Sequence, residues 1–224
     1  MIIIYLSGID GCGKTTQATQ LVEELKSNGL IVDYQWLRWE PSIVNFLKFI
    51  KKLLGKNTRP TEKAVSNNEK ADSNWSKLKQ RLMKSRFFRN IWLKYASIDY
   101  YRAYKKAIKN WDADIIIMDR YIFDFLVDQS INFNIPISET ERIFNKTVIS
   151  KMHKPDYNII IDISAETGFK RKMDGTSVHY LAQRESIYSN YKTEKVLHID
   201  GNKDINDIQK NIYTWISHQL GLTQ

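Results

Sequence analysis

Gly8-Ile9-Asp10-Gly11-Cys12-Gly13-Lys14-Thr15-Thr16-Gln17 is the stretch from which the rest of the chain is read. It has the spacing G-x-x-x-x-G-K-[ST], and it stands in the context that this spacing needs. Met1 to Leu6 before it has the composition of a buried strand, and Thr16 to Ser27 after it has the spacing of a helix. A glycine-rich turn between strand and helix points successive backbone N–H groups into one concave anion site at a helix N-terminus. The backbone of Gly8, Asp10, Gly11, Cys12, Gly13, Lys14, Thr15 and Thr16 then cradles a nucleoside triphosphate. Lys14 reaches its outer phosphates, and the Thr15 hydroxyl is a ligand for Mg²⁺.

A chain of 224 residues with 42% hydrophobic residues is long enough for one α/β domain with a sizeable core. No internal repeat, low-complexity tract or apolar run of roughly 20 residues is present, so a membrane span is not expected. Met1-Ile2-Ile3-Ile4 lacks the basic start of a signal peptide, and the sole cysteine, Cys12, lies inside the glycine-rich turn. Both features lead to the expectation of a reducing, cytoplasmic location. The net charge of +9 is local: residues 51–90 hold 12 Lys/Arg and 3 Asp/Glu, and the remainder holds 22 of each. Such a block suits a solvated insertion, or the attraction of nucleic acid, anionic lipid or a phosphorylated substrate.

Leu30 to Leu37 alternates as a second strand and ends at Arg38-Trp39-Glu40-Pro41. Polar residues at the C-terminal end of a strand in an open α/β sheet face the ligand crevice, which makes Arg38 and Glu40 candidate substrate contacts. A helix is predicted over Ser42–Leu54, a long polar loop over Lys56–Ser73, and one or two long helices over Trp75–Trp111. Trp92, Tyr95, Ile98, Tyr101 and Tyr104 share one broad side there, as core or, in part, as a pocket for a planar base. Ile115 to Met118 is a buried strand that delivers Asp119-Arg120-Tyr121 at its end. Beside a phosphate loop, Asp119 is a metal-side carboxylate and Arg120 a bidentate phosphate clamp. Further helices are expected through Asp124–Gln129, over Ser138–Met152, from Ala165, and over Ser177–Tyr191. Strands are expected at Tyr157–Ile163 and Val196–Ile199, with a last amphipathic helix after Asp200-Gly201-Asn202.

Taken together these residues resemble the thymidylate kinase family. Residues 8–17 look like its version of the phosphate loop, Asp119-Arg120-Tyr121 like its second signature, and Glu40-Pro41 like the Glu-Pro after its second strand. Gln129 falls where its members carry a glutamine near the base, and the Asp200-Gly201 turn, with Asn202, resembles its adenine-side loop. The resemblance runs the length of the chain except residues 51–90. It implies a three-layer α/β/α fold with a five-stranded parallel sheet, in a single domain with a basic insertion at 51–90 and a lid at about 170–185. It also implies transfer of the ATP γ-phosphate to dTMP with Mg²⁺, usually in a homodimer. Asp10 would then reach the acceptor's sugar and phosphate, Arg120 would grip the acceptor phosphate, and Asp119 would organise the metal's water. An acceptor that is already anionic needs no general base, so catalysis reduces to positioning and charge neutralisation.

Some family members carry an arginine inside the loop, where this chain has Gly11. The cation over the γ-phosphate is therefore expected from the lid, first Arg171 and then Arg184. The chain departs from the family on the acceptor side. Trp39 stands where an arginine is common, and Ala96-Ser97-Ile98-Asp99 lacks the arginine expected on its helix, with Arg102 one turn later. Asp124 and Asp128 stand where small or aromatic residues are usual. A deoxynucleoside kinase, with Glu40 as base on a sugar hydroxyl, shares many of these features. A third reading is a nucleic-acid or membrane-surface protein that uses the basic segment. A GTPase is excluded: Asn202-Lys203-Asp204 would need its aspartate at 205, which is Ile205.

Overall fold

Five strands form one parallel sheet in the computed structural model, which describes residues 1–39, 85–109, 111–172 and 176–222. They are β1 (Ile2–Ser7), β2 (Val32–Trp36), β3 (Ile115–Asp119), β4 (Tyr157–Asp162) and β5 (Val196–Asp200), in the order β2-β3-β1-β4-β5. Burial follows position. Every residue of β3 is buried, and β1 and β4 are each exposed at one end only, whereas the edge strands β2 and β5 are half open. A central parallel strand is covered on both faces, which is why Ile2-Ile3-Ile4, Ile115-Ile116-Ile117 and Ile159-Ile160-Ile161 read as unbroken apolar runs.

The helices are α1 (Lys14–Ser27), α2 (Arg86–Ile108), α3 (Ile122–Phe133), α4 (Ile137–Phe144), α5 (Ala165–Lys172), α6 (Val178–Tyr188) and α7 (Ile205–Leu220). Strand order reverses at β1, with β3 on one side and β4 on the other. Right-handed crossovers then put helices on both sheet faces and open a crevice at the C-terminal end of β1. Register places Leu6 beside both Asp119 and Ile159, so the ends of β1, β3 and β4 deliver their next residues to one spot. The α/β fold expected from the sequence is therefore the fold observed.

One helix and one helix face differ from expectation. The helix expected over 138–152 breaks at Asn145, and a short 3₁₀ turn, Val148–Lys151, replaces its second half. Thr147 is extended there, and its hydroxyl accepts from the Ile149 N–H, a local bond that competes with helix continuation. On α2, Trp92, Tyr95 and Tyr104 are buried as the stripe predicted, while Ile98 and Tyr101 are only partly covered. The expected helix at 42–54 and loop at 56–73 lie outside the described residues.

One packing contact was not foreseen. Helix α5 approaches the turn after β1 so closely that a Cβ on Gly168 would lie 2.6 Å from the Asp10 carbonyl oxygen. A Cβ on Gly11, whose φ is +85°, would lie 2.7 Å from the Gly168 carbonyl oxygen. Two backbones touch without side chains between them. Gly168→Ala therefore forces the loop and α5 apart and is expected to cost about 1–3 kcal/mol, as overpacking does, read as a lowered urea-denaturation midpoint. An unchanged midpoint would mean that the contact gives way freely.

Candidate phosphate-loop site

Gly13, with φ +93° in the left-handed region, turns the chain into α1, and no side chain caps that helix's first turn. The first-turn N–H groups thus face the crevice as anion donors, in keeping with the expected cradle. Lys14 is buried, and its ammonium donates to the carbonyls of Gly8 at 3.0 Å and Ile9 at 2.8 Å. It lies 3.5 Å from the sulfur of Cys12. Rather than extending from the loop as expected, the ammonium folds back on it, because a buried charge needs acceptors. Burial also draws its pKa below the ordinary lysine value.

Asp119 ends β3 opposite the start of α1. Its Oδ2 accepts from the Thr15 hydroxyl at 2.6 Å and from the Tyr34 hydroxyl, on β2, at 3.0 Å. A hydroxyl and a carboxylate converging beside a phosphate loop are the hard oxygen donors that suit Mg²⁺, an ion that takes few protein ligands and keeps phosphate and water oxygens. Among the described residues no group of three His, Cys, Asp or Glu forms a closed metal cage. The residues present therefore fit a metal held jointly with a nucleotide.

Arg120 follows at φ +74°, a left-handed conformation that is costly for a residue with a side chain. That turn sends its guanidinium back across the crevice. Nη2 pairs with Asp10 of the loop, and Nη1 donates to Asp124 at 3.0 Å. Asp124 lies on the first turn of α3 and is itself buried. Burial works against ionisation of both carboxyls. For Asp10 the charges of Arg120, Lys14, Arg184 and Lys172 outweigh it and hold the pKa well below 3.8. For Asp124 the charges of Arg120 and Arg184, with the hydroxyls of Tyr188 and Tyr5, do the same.

Trp39, the start of α2 and α3 together form an aromatic cluster. Trp39 meets Trp92 at 6.0 Å and Phe125 at 5.4 Å between ring centroids, both edge to face. Gln129, fully buried on α3, accepts from the Trp92 indole at 3.1 Å through Oε1, while its Nε2 has no hydrogen-bond partner among the described residues. A buried amide donor left open beside aromatic rings is suited to a carbonyl on a planar ligand.

The remaining expected residues are more scattered. Arg38 and Arg102 are exposed, Tyr95 is buried against Trp92, and Glu40 lies outside the described residues. Asn202 is exposed in the turn after β5, where its N–H and side-chain amide both donate to Asp200. Arg171 donates to the Gly201 carbonyl at 2.9 Å, which ties α5 to that turn rather than to the loop. The basic residue of this run that faces Asp10 is Lys172, at 3.4 Å. Arg184 is not a solvent-side lid cation: it is 1% exposed, paired with Asp128, and bonded to the hydroxyls of Tyr180 and Tyr188. Its neighbours Asp124 and Asp128 explain the difference, since two carboxylates draw it inward.

Sequence reasoning missed Tyr34, Gly168 and Lys172. Tyr34 sits mid-strand with no motif around it, and only its register with Ile117, two residues short of Asp119, brings it to that carboxylate.

The depressed acidities carry a pH consequence. Both folded-state values lie below the ordinary 3.8, so the stability they contribute is complete above that value and is lost as pH falls through the folded-state values. Denaturation midpoints are expected to stay level between about pH 7 and 5 and to fall below about pH 4, with Asp124→Asn flattening that fall. A variant with the same acid limb as the wild type would exclude Asp124 as a source.

No protein-family model matches the chain. Two curated relatives do. The chain is 27% identical over 217 residues to a thymidylate kinase of Prochlorococcus marinus, covering 93% of this chain and 91% of the relative. It is 24% identical over 232 residues to a probable thymidylate kinase of Archaeoglobus fulgidus, covering 99% and 97%. Both likenesses, joined to the observed fold, support a phosphotransferase of kinase type.

Proposed function

We propose that the chain is an ATP- and Mg²⁺-dependent nucleoside monophosphate kinase whose acceptor is dTMP. The observation that carries this reading is Arg120, turned by its left-handed backbone so that one guanidinium nitrogen, Nη2, faces Asp10 of the phosphate loop. An arginine in that position meets an acceptor phosphate within reach of the triphosphate site, as in-line transfer between two phosphates requires. The two thymidylate kinase relatives and the open amide of Gln129 support thymine as the base.

In this reading the N–H groups of residues 8–16 hold the ATP phosphates. The Lys14 ammonium exchanges its bonds to the Gly8 and Ile9 carbonyls for phosphate oxygens. Thr15 and Asp119 hold Mg²⁺, which when bound neutralises charge on the phosphates. Tyr34 steadies the Asp119 carboxylate through its hydroxyl. Arg120 orients the acceptor phosphate, and Asp10 and Gln129 address its sugar and base. Lys172, on the last turn of α5, lies within reach of the same space and adds to Arg171 as a source of positive charge. The described helices include none long and apolar enough to cross a membrane.

The test is ADP release with Mg-ATP against dTMP, dUMP, the other monophosphates and free thymidine. Turnover is expected to be highest on dTMP. Lys14→Ala is expected to abolish it, and Arg120→Ala to reduce kcat/KM by about 100-fold or more, through the acceptor. Turnover on thymidine with none on any monophosphate would overturn the reading in favour of a nucleoside kinase.

A further inference from the structure

Five donors converge on the Asp124 carboxylate. The Tyr5 hydroxyl donates at 2.6 Å, the Ser7 hydroxyl at 3.0 Å, Arg120 at 3.0 Å, the Tyr121 N–H at 3.1 Å and the Tyr188 hydroxyl at 2.6 Å. Arg184 stands 3.6 Å from the same oxygen that Arg120 uses. Charges therefore alternate from the loop through the interior to the half-buried Asp128: Asp10, Arg120, Asp124, Arg184, Asp128.

We propose that Asp124 is the positioning residue of the acceptor end of the site, holding the Arg120 guanidinium in place while Arg184 balances its charge. Three features lead there. First, Arg120 divides its terminal nitrogens between a carboxylate on a core helix and one on the loop. Asp124 is bonded to β1, to the turn after β3 and to α6 at once, so it stays while Asp10 can yield Nη2 to an incoming phosphate. Second, a bidentate fork held at one nitrogen keeps its plane, and this orientation gives an arginine its selectivity for phosphate. Third, Arg184 has no role of its own at the surface. It is almost wholly buried, and its Nε has no hydrogen-bond partner among the described residues. An arginine with one N–H unsatisfied in the interior is there for its charge. Placed between Asp124 and Asp128, it keeps Asp124 from neutralising Arg120 outright. The proposal rests on the kinase reading only in naming a phosphate as what Arg120 receives.

The test uses the full chain with isotopically labelled arginine side chains. In the wild type, Arg120 and Arg184 are expected to give resolved, slowly rotating guanidinium resonances. Asp124→Asn is expected to release Arg120 into fast rotation. Asp128→Asn is expected to loosen Arg184 and leave Arg120 restrained. Unchanged Arg120 resonances in Asp124→Asn would overturn the proposal, whatever the protein phosphorylates. If that variant does not fold, Asp124→Glu, which moves the carboxylate by one methylene, is expected to shift the Arg120 guanidinium resonances and change their rotation rate, and Arg120 resonances identical to the wild type's would overturn the proposal.

With dTMP as acceptor, Asp124→Asn is expected to lower kcat/KM for the acceptor about 100-fold while ATP affinity is unchanged. The double variant Arg120→Ala/Asp124→Asn should be no worse than Arg120→Ala alone, because the two act as one unit. Effects that multiply, or a parallel loss of ATP affinity, would make Asp124 a structural strut and overturn the proposal. A wild type inert on every monophosphate would remove the kinase reading alone, and the resonances would then decide the proposal by themselves.

Discussion

A carboxylate buried in the centre of a protein must be fully paired or must lose its charge, and Asp124 is fully paired. Its partners come from the first strand, from the turn after the third, and from α6, elements that are far apart in sequence. Removing one member of a buried charged cluster strands the others, at a cost of about 3–5 kcal/mol in comparable cases. Such a centre constrains more than its own side chain. It caps the start of α3 through the Tyr121 N–H, is bonded to α6 through the Tyr188 hydroxyl, and offsets the unfavourable backbone of Arg120 through a charge-assisted bond.

The crevice gathers its chemistry from strand ends. β1 leads into the loop, β3 ends at Asp119 and Arg120, and β2 adds Tyr34 from mid-strand, whose hydroxyl reaches Asp119. Polar groups in that crevice are paired with each other: Thr15 with Asp119, Arg120 with Asp10, Lys14 with carbonyls. A triphosphate or phosphate monoester entering it replaces existing bonds with bonds of the same kind, so little desolvation of bare charge is required.

Much of this was legible in the chain because central parallel strands have an unmistakable composition and the phosphate loop has a rigid spacing. Asp119 and Arg120 could be read for the same reason: a buried run followed by two charges marks a strand end. What could not be read depends on registers between distant segments. Tyr34 looks like any aromatic residue on an edge strand until β2 is set against β3. Arg184 looks like a solvated helix residue until Asp128, on another helix, is placed beside it. Lys170, Arg171 and Lys172 are indistinguishable as text, and only the direction in which each leaves α5 separates the one that faces the loop from the one that grips the turn after β5. The break at Asn145 escaped because Thr147 stops the helix through its own hydroxyl, a local bond that periodicity does not register.

The bare contact between Gly11 and Gly168 ties together two properties that look independent. Any side chain at position 11 would have to enter space that α5 occupies with its backbone. A larger residue at either position excludes the other chain segment, and no single exchange at one can be matched by shrinking the other, since both are already the smallest residue. The turn and the helix are therefore coupled, and either position admits a side chain only if α5 moves away from the turn after β1.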